Sequence, residues 1–534
     1  MEYKDVVVAK VSEIQPGDMK QIAVEGGEIL LVNIDGQVSA LGAHCTHYGA
    51  ELAKGTLVGD TIVCPWHQAC FCAKSGDLKE PPALNALPSY DVTIQGDDIV
   101  VKLPEKLKKS RIPDMASYNP QNDIRTFVIV GAGAAGNAAA QTLREDGFQG
   151  RIIMISHEPY LPYDRPNLDK AYLQGEAPKE WLPLRSEKFY QNRDIELMLS
   201  KTVIKVDVTT KTITFQDQET LQYDKVLLAT GGIPRRLDVP GADLPNVVTL
   251  RSLDDADALI HDCEHASRIV VIGASFIGLE SAFSLKKRGL DVTVAAPEKV
   301  PFASIFGEEI GTMIQQSYVE QGIQFQLGKE IFAFEGQNYA RAIVFRDGDQ
   351  IEADLFLLGV GVIPNTGYLQ GIDVQPDGSI QVDEYFQAAA DVYAAGDIAR
   401  FPDWRSFDKA QDKSRDGIRI EHWRTAEQQG RDAAHNMAGK QVANQSVPFF
   451  WSKQTDFNIR YVGYAKDWEE VILDGDLASK KFLAFYIKHG KVYAVAGAKR
   501  DQEMAAIHEL MRLNKMPTPD ELRGKPLNIL DLVK

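Results

Sequence analysis

TFVIVGAGAAGNAAAQTLREDG, residues 126–147, decides how the chain folds. Phe127 to Val130 are uninterrupted apolar residues, the mark of a strand buried on both faces. Gly131, Gly133 and Gly136 follow, then an alanine- and leucine-rich run that stops at Gly147 and reads as a helix. RIIMIS at 151–156 is a second buried strand. Strand, glycine turn, helix and strand in that order form a βαβ unit whose first turn suits a dinucleotide. The glycines let the backbone approach a pyrophosphate at the helix N-terminus, where free N–H groups and the helix dipole favour negative charge. Glu158 follows the last glycine by 22 residues, where a carboxylate accepts from a ribose hydroxyl.

The phrase returns at 267–289 as SRIVVIGASFIGLESAFSLKKRG, followed by LDVTVAA. Gly273, Ser275 and Gly278 repeat the glycine turn with a serine at the middle position, and Glu280 lies on the helix behind it. Two such openings in one chain imply two nucleotide-binding α/β folds, since the spacing is far longer than the roughly 20–50 residues of a solenoid repeat. The first fold is expected over 125–250 and again over 372–447, the second over 251–371. Residues 1–104 alternate as an all-β module with hairpin turns at Asp35-Gly36, Gly59-Asp60 and around Gly96. Residues 105–124 mix charge and proline without an apolar face and read as a flexible linker of roughly 25 Å span. Residues 448–534 read as a small α+β domain with no evident chemistry of its own. The expected architecture is therefore multi-domain, a β module followed by two Rossmann-like α/β domains and an α+β unit.

The chain has 534 residues, 44% hydrophobic and 25% charged, which is ordinary for a globular protein and too long for a single core. A formal charge of -17 argues against a nucleic-acid partner. No apolar run reaches the length of a membrane span, and the N-terminus resembles neither a signal nor a transit peptide. Five cysteines do not make a secreted disulfide framework, so a reducing cytoplasm is expected.

Two of those cysteines stand beside histidines, as Cys45-x-His47 in HCTHYGA and Cys64-x-x-His67 in CPWHQACFC. Zinc fingers usually supply a cysteine pair and then a histidine pair, whereas here each loop supplies one of each. That set suits a two-iron, two-sulfide cluster with both thiolates on one iron and both imidazoles on the other, a zinc ribbon being the alternative. The two boxes resemble those of a Rieske domain. Where high-potential members carry a second, bridging cysteine pair, this chain has Ala50 and Trp66, which places it toward the reducing end of the range of about −150 to +300 mV. Cys70 and Cys72 read as packing thiols, and His44 has no ligand role.

LPYDRPNLDKAYL at 161–173 is similar to the flavin-proximal segment Pro-Tyr-x-Arg-Pro-x-Leu-x-Lys of the ferredoxin-reductase and apoptosis-inducing-factor group of FAD enzymes. By that resemblance Arg165 and Lys170 approach an FAD, Lys170 next to the reactive flavin nitrogen. LLATGGIP with Thr230 and Gly231, VYAAGD with Gly396 and Asp397, and EHW ending at Trp423 match further boxes of the group, Asp397 being expected at the ribityl chain. FFWS at 449–452 resembles a flavin-proximal segment too, although Trp451 reads equally well as core. In the second fold Ala296 stands where an acidic residue normally selects NAD. Glu298 takes over two places on, or Lys299 tolerates the phosphate of NADP; NADH is favoured and NADPH is not excluded. The paired cysteines of disulfide reductases are missing from the first helix, and Cys263 lies too far away to serve.

The whole order resembles the Rieske-containing members of the apoptosis-inducing-factor family. It implies an NAD(P)H oxidoreductase that passes electrons through FAD to its own cluster and on to an unknown acceptor, an oxygenase, a haem protein or a quinone. Two alternatives stand beside it, a flavin-based reductase of quinones or other small molecules and a redox-gated signalling protein. The C-terminal domain resembles one used in dimer contacts, so a homodimer fits the resemblance.

Overall fold

The computed structural model describes residues 3–403, 417–524 and 527–533. Its centre is the strand Thr126–Val130, in the middle of a six-stranded sheet. The strands run Ile195–Met198, Arg151–Ile155, Thr126–Val130, Lys225–Leu228, Val392–Ala394 and Gln387–Ala389, parallel except for the last pair. The helix Ala134–Glu145 leaves the glycine turn as expected and packs along the helix Trp423–Met437. The second fold is a five-stranded parallel sheet, Val247–Thr249, Leu355–Leu358, Arg268–Ile272, Asp291–Ala296 and Gln324–Leu327.

The crossings between the two folds fall elsewhere than at 250 and 372. Val247–Thr249 already pairs within the second sheet, and Leu369–Gln370 already pairs with Val203–Asp207 of the first unit. The two crossing segments lie side by side as an antiparallel ladder, Gly232–Pro234 against Val362–Pro364. Strands of two or three residues carry no readable period, which is why the sequence does not mark these joints.

The N-terminal module is three antiparallel sheets. Asp35 and Gly36 both take positive φ, 51° and 86°, the geometry of a tight two-residue hairpin. The C-terminal unit is a five-stranded antiparallel sheet, from Phe449–Gln454 to Glu470–Asp476, capped by the helix Asp501–Arg512. That helix docks against the β module. Gln502 Nε2 donates to Gly55 O at 3.0 Å, Thr56 Oγ1 to Gln502 O at 3.1 Å and Gln68 Nε2 to Met504 O at 3.0 Å.

Residues 105–124 are not a free coil. Ala86 and Arg111 exchange backbone hydrogen bonds at 2.9 Å, Ala116 N donates to Arg144 O and Asn119 N to Gln149 O, each at 2.8 Å. Met115 packs on the core of the first α/β unit. The segment is a strap bonded to both neighbours, and its irregular bonding pattern is what hides it from a search for periodicity. The charged run at 403–417, read as solvated or as a docking surface, lies almost wholly outside the described residues. Among the described residues no helix is long and apolar enough to cross a membrane.

Candidate functional site

The two cysteine–histidine loops are built alike. Cys45 N donates to Ala50 O and Gly49 N returns to Cys45 O; Cys64 N donates to Ala69 O and Gln68 N returns to Cys64 O. Each loop thus buries its cysteine at the base and carries its histidine near the tip. The two imidazoles face each other, Nδ1 to Nδ1 at 3.1 Å, and the two thiols are hydrogen-bonded, which together with burial raises Cys45 well above its ordinary pKa. Burial pushes His47 down to about 4 and keeps both rings neutral, the ligating form. No three of these four residues bring ligand atoms within 4.8 Å of one another. A tetrahedral zinc would hold all four within about 3.8 Å. A thiol pair and an imidazole pair set apart are what a two-iron cluster requires, and the donor set fits that group.

The other cysteines and His44 stand aside. Cys70 is fully buried with Sγ on Gln68 O, and Cys72 is half-buried. Burial pushes Cys263 up to about 11, an unreactive thiol. His44 pairs with Glu28 at 2.8 Å.

Beside the loops opens a cavity of about 1320 Å³. Gly131, Gly133, Glu158, Arg165, Lys170, Thr230, Gly231, Gly396, Asp397 and Trp423 all reach its wall. Gly136 does not. It lies beneath the turn, where a Cβ would meet Gly131 O at 1.9 Å, so its lack of a side chain seats the helix on the strand. Gly133 has open space where a Cβ would project, and it leaves the helix Ala134–Glu145 without a side-chain cap. The free N–H groups there form an anion cradle that fits a dinucleotide pyrophosphate. At the opposite side the helix Trp423–Met437 also begins uncapped at His422.

Four polar residues of the wall are already paired. Glu158 accepts from Tyr163 Oη at 2.7 Å and from Arg165 at 2.8 Å. Asp397 holds Arg251 at 2.8 Å, and Thr230 donates to Asn365 O at 2.7 Å. Lys170 Nζ lies 2.8 Å from Asp169 and 2.7 Å from Glu280. Glu280, read with the second nucleotide turn, thus faces the first cavity, its other oxygen taking Ser452 Oγ and Lys453 N.

A second cavity of about 520 Å³ opens at the second glycine turn, with Gly273, Ser275, Ala296 and Glu298 on its wall. Gly278 is packed beneath, as Gly136 is in the first fold. Lys329 and Arg346 also reach this wall, each held by acidic neighbours, Asp347 and Asp349 for the first and Glu330 for the second.

The C-terminal unit, read as carrying no chemistry, supplies the joint between cavity and loops. The Trp451 ring lies 4.4 Å from the His67 ring and 6.3 Å from that of His47, and the same side chain lines the large cavity. Arg460 donates to Trp66 O at 2.8 Å and is fixed by Asp501 at 2.6 Å. Tyr48, next to His47, donates to Asp164 of the PYDRP segment at 2.5 Å. Apart from Arg460–Asp501, these pairings join residues at least 116 positions apart, too far for local sequence to announce them.

The profile of pyridine nucleotide-disulphide oxidoreductases matches residues 125–430, that of Rieske [2Fe-2S] domains residues 4–91, and that of the reductase C-terminal domain residues 449–532. The chain is similar to human apoptosis-inducing factor 3, 34% identical over 521 residues, 95% of this chain and 84% of the relative. It is similar in structure to the ferredoxin reductase for the CYP199A2 system from Rhodopseudomonas palustris, with a TM-score of 0.71 and 30% identity over 77% of this chain and all of the other. The reductase of the covalent putidaredoxin reductase–putidaredoxin complex gives a TM-score of 0.70 at 29% identity, over 77% and 98% of the two chains. The chain belongs to the pyridine nucleotide-disulphide oxidoreductase family, as a ferredoxin-reductase-like, FAD-binding NAD(P)H oxidoreductase that carries a Rieske [2Fe-2S] domain.

Proposed function

We propose that the chain moves electrons from NADH, by way of FAD in the large cavity, to its own Rieske cluster, and from there to a separate one-electron acceptor such as an oxygenase or a haem protein. The observation that carries this reading is Trp451, a single side chain that lies against His67 and also forms the cavity wall. FAD supplies the chemistry of taking a hydride and giving electrons up singly. The chain's residues do the rest. Gly131, Gly133 and the helix behind them receive the pyrophosphate, Glu158 the ribose, and Asp397 with Gly396 the ribityl chain. Thr230, Gly231 and Arg165 would close the wall, Lys170, its charge shared by Asp169 and Glu280, would offer an ammonium donor beside the reacting ring, and the helix start at Trp423 would add its dipole. Cys45 and Cys64 would bind one iron, His47 and His67 the other.

The putidaredoxin reductase structure is a covalent complex with putidaredoxin, a second protein. In this chain the strap and the Arg460 and Tyr48 contacts favour an acceptor domain already seated. An anaerobic titration with NADH, followed by visible absorption and electron paramagnetic resonance, tests the order of transfer. Flavin bleaching followed by a Rieske signal is expected. A cluster that stays oxidised after the flavin has bleached would end the proposal. Trp451→Ala should slow cluster reduction about tenfold, about 1.4 kcal/mol in the barrier, and leave flavin bleaching unchanged in stopped flow.

NADH is favoured over NADPH at the second cavity. Glu298 is exposed there and its charge repels a 2′-phosphate, while Lys329 and Arg346 are held by carboxylates. Glu298→Ala should narrow the ratio of kcat/KM for NADH over NADPH about tenfold, and an unchanged ratio would remove Glu298 from coenzyme choice.

A further inference from the structure

Lys170 holds two carboxylates with one ammonium. Asp169 and Glu280 both reach Nζ, at 2.8 and 2.7 Å, both are nearly buried, and all three side chains line the large cavity. Asp169 stands at a position that the Pro-Tyr-x-Arg-Pro-x-Leu-x-Lys motif leaves free. One cation cannot balance two carboxylates out of water, and the pair is easier to hold with a proton on it.

The groups facing the pair are few. Glu280 comes from the helix Phe276–Lys287 and Lys170 from the same segment as Asp169. Tyr318, from the helix Glu308–Val319, is buried and held neutral well above its ordinary value. His422, before the helix Trp423–Met437, is pushed down to about 3 by burial and by Lys170, and is neutral too. Burial, with Glu280 adding to it and Lys170 opposing it, pushes Asp169 up to about 7. Neither Tyr318 nor His422 changes charge near neutrality, and Asp164, which burial raises while Tyr48 and Lys170 oppose it, is the further carboxyl near the ammonium.

The proposed electron route leaves a proton over. NADH gives up a hydride, which is two electrons and one proton, and becomes NAD⁺. The cluster takes electrons only, one at a time, and hands them to a one-electron acceptor. One proton per NADH must therefore be taken by the protein before it reaches solvent.

We propose that Asp169 and Glu280, bridged by Lys170, are the acceptor of that proton. The nicotinamide C–H bond breaks, its two electrons leave singly through the cluster to the one-electron acceptor, and its proton forms one O–H bond on the carboxylate pair. That bond then breaks to pass the proton to water. The site's charge then moves between minus one and zero beside the cavity, which holds the proton close to where it appears. The inference rests on the electron route above and assigns Asp169 a part in it.

The test uses the oxidised full-length holoenzyme. Infrared difference spectra taken through neutrality should show a protonated-carboxyl band lost with a midpoint near 7. Asp169→Asn should remove this pair's share of that band and leave the share of buried Asp432, also pushed up to about 7. Asp169→Glu should restore the lost share with the midpoint moved by no more than about one pH unit. The midpoint potential of the bound flavin should show a pH inflection in the wild type that Asp169→Asn removes. Should Asp169→Asn fail to fold or to retain flavin, Glu280→Gln and Asp169→Glu carry the same two readouts. A band of undiminished size and an inflection that both survive Asp169→Asn and Glu280→Gln would overturn the proposal. The infrared titration needs no turnover, so a cluster that NADH fails to reduce would break the electron route and leave the carboxylate result legible on its own.

Discussion

Replacing His47 by alanine leaves NADH able to bleach the flavin and abolishes every electron that leaves by the cluster. The reason is in the donor set. His47 and His67 present Nδ1 atoms to one another as a pair, and the neighbouring His44 is held by Glu28 and Gly49 O. With one imidazole gone, an iron keeps a single protein ligand and the cluster is lost or converted. The large cavity lies on the other side of Trp451 and keeps its glycine cradle, Glu158–Arg165 pair and Lys170. The purified variant should be yellow without the Rieske absorption or resonance signal. Its reduction of a one-electron protein acceptor should fall by more than about 10³-fold, over 4 kcal/mol in the barrier, with flavin bleaching by NADH within about twofold of wild type, a factor worth less than 0.5 kcal/mol. The measurement also weighs the quinone-reductase alternative. If His47→Ala keeps full turnover with the acceptor that the wild type reduces fastest, the flavin is the working catalyst and the electron route fails.

What could be read from sequence here follows how far apart the participating residues are. Gly131 to Gly136 and Cys64 to His67 do their work within one turn or one loop, so spacing alone exposes them. The Asp35-Gly36 hairpin is legible for the same reason, since its turn geometry depends on two residues. Trp451 is legible by half: FFWS resembles a flavin-proximal segment, but the ring's contact with His67 lies in another domain and leaves no local mark, and an aromatic on a strand is ordinarily core. Glu280 misleads in an instructive way. Its position on the second nucleotide helix is as expected, but the helix turns that carboxylate away from its own turn and onto Lys170 of the other fold. In sequence the 105–124 strap reads as a flexible linker because its hydrogen bonds follow no period, although they bind it to both neighbours. Local motifs reveal the cofactors, and the relation between cofactors is written in contacts that only the folded chain displays.

Arg424→Leu tests whether the β module is seated or merely tethered. Arg424 is 1% exposed and sits on the helix Trp423–Met437. Its guanidinium donates to Pro81 O and Gln68 O at 3.0 Å and pairs with Glu80 at 2.6 Å, all on the N-terminal module. Leucine keeps much of the volume and removes every donor, leaving Glu80 and two carbonyls facing an apolar contact. Breaking a buried pair by removing one partner costs about 3–5 kcal/mol, and here that loss falls on the docked interface rather than on either core. Thermal unfolding should then split into two transitions, hydrogen exchange should rise across residues 64–82, and NADH should reduce the cluster at least about tenfold more slowly, about 1.4 kcal/mol in the barrier, with flavin bleaching preserved. Adding Glu80→Gln should restore part of the loss, because the stranded charge is gone. A single transition and an unchanged rate of cluster reduction in Arg424→Leu would show that the strap, with the helix Asp501–Arg512, seats the module without the arginine. A slower rate that Glu80→Gln repairs would show instead that electron transfer depends on docking geometry, because the strap stays intact in both variants and tethering alone is the same in each.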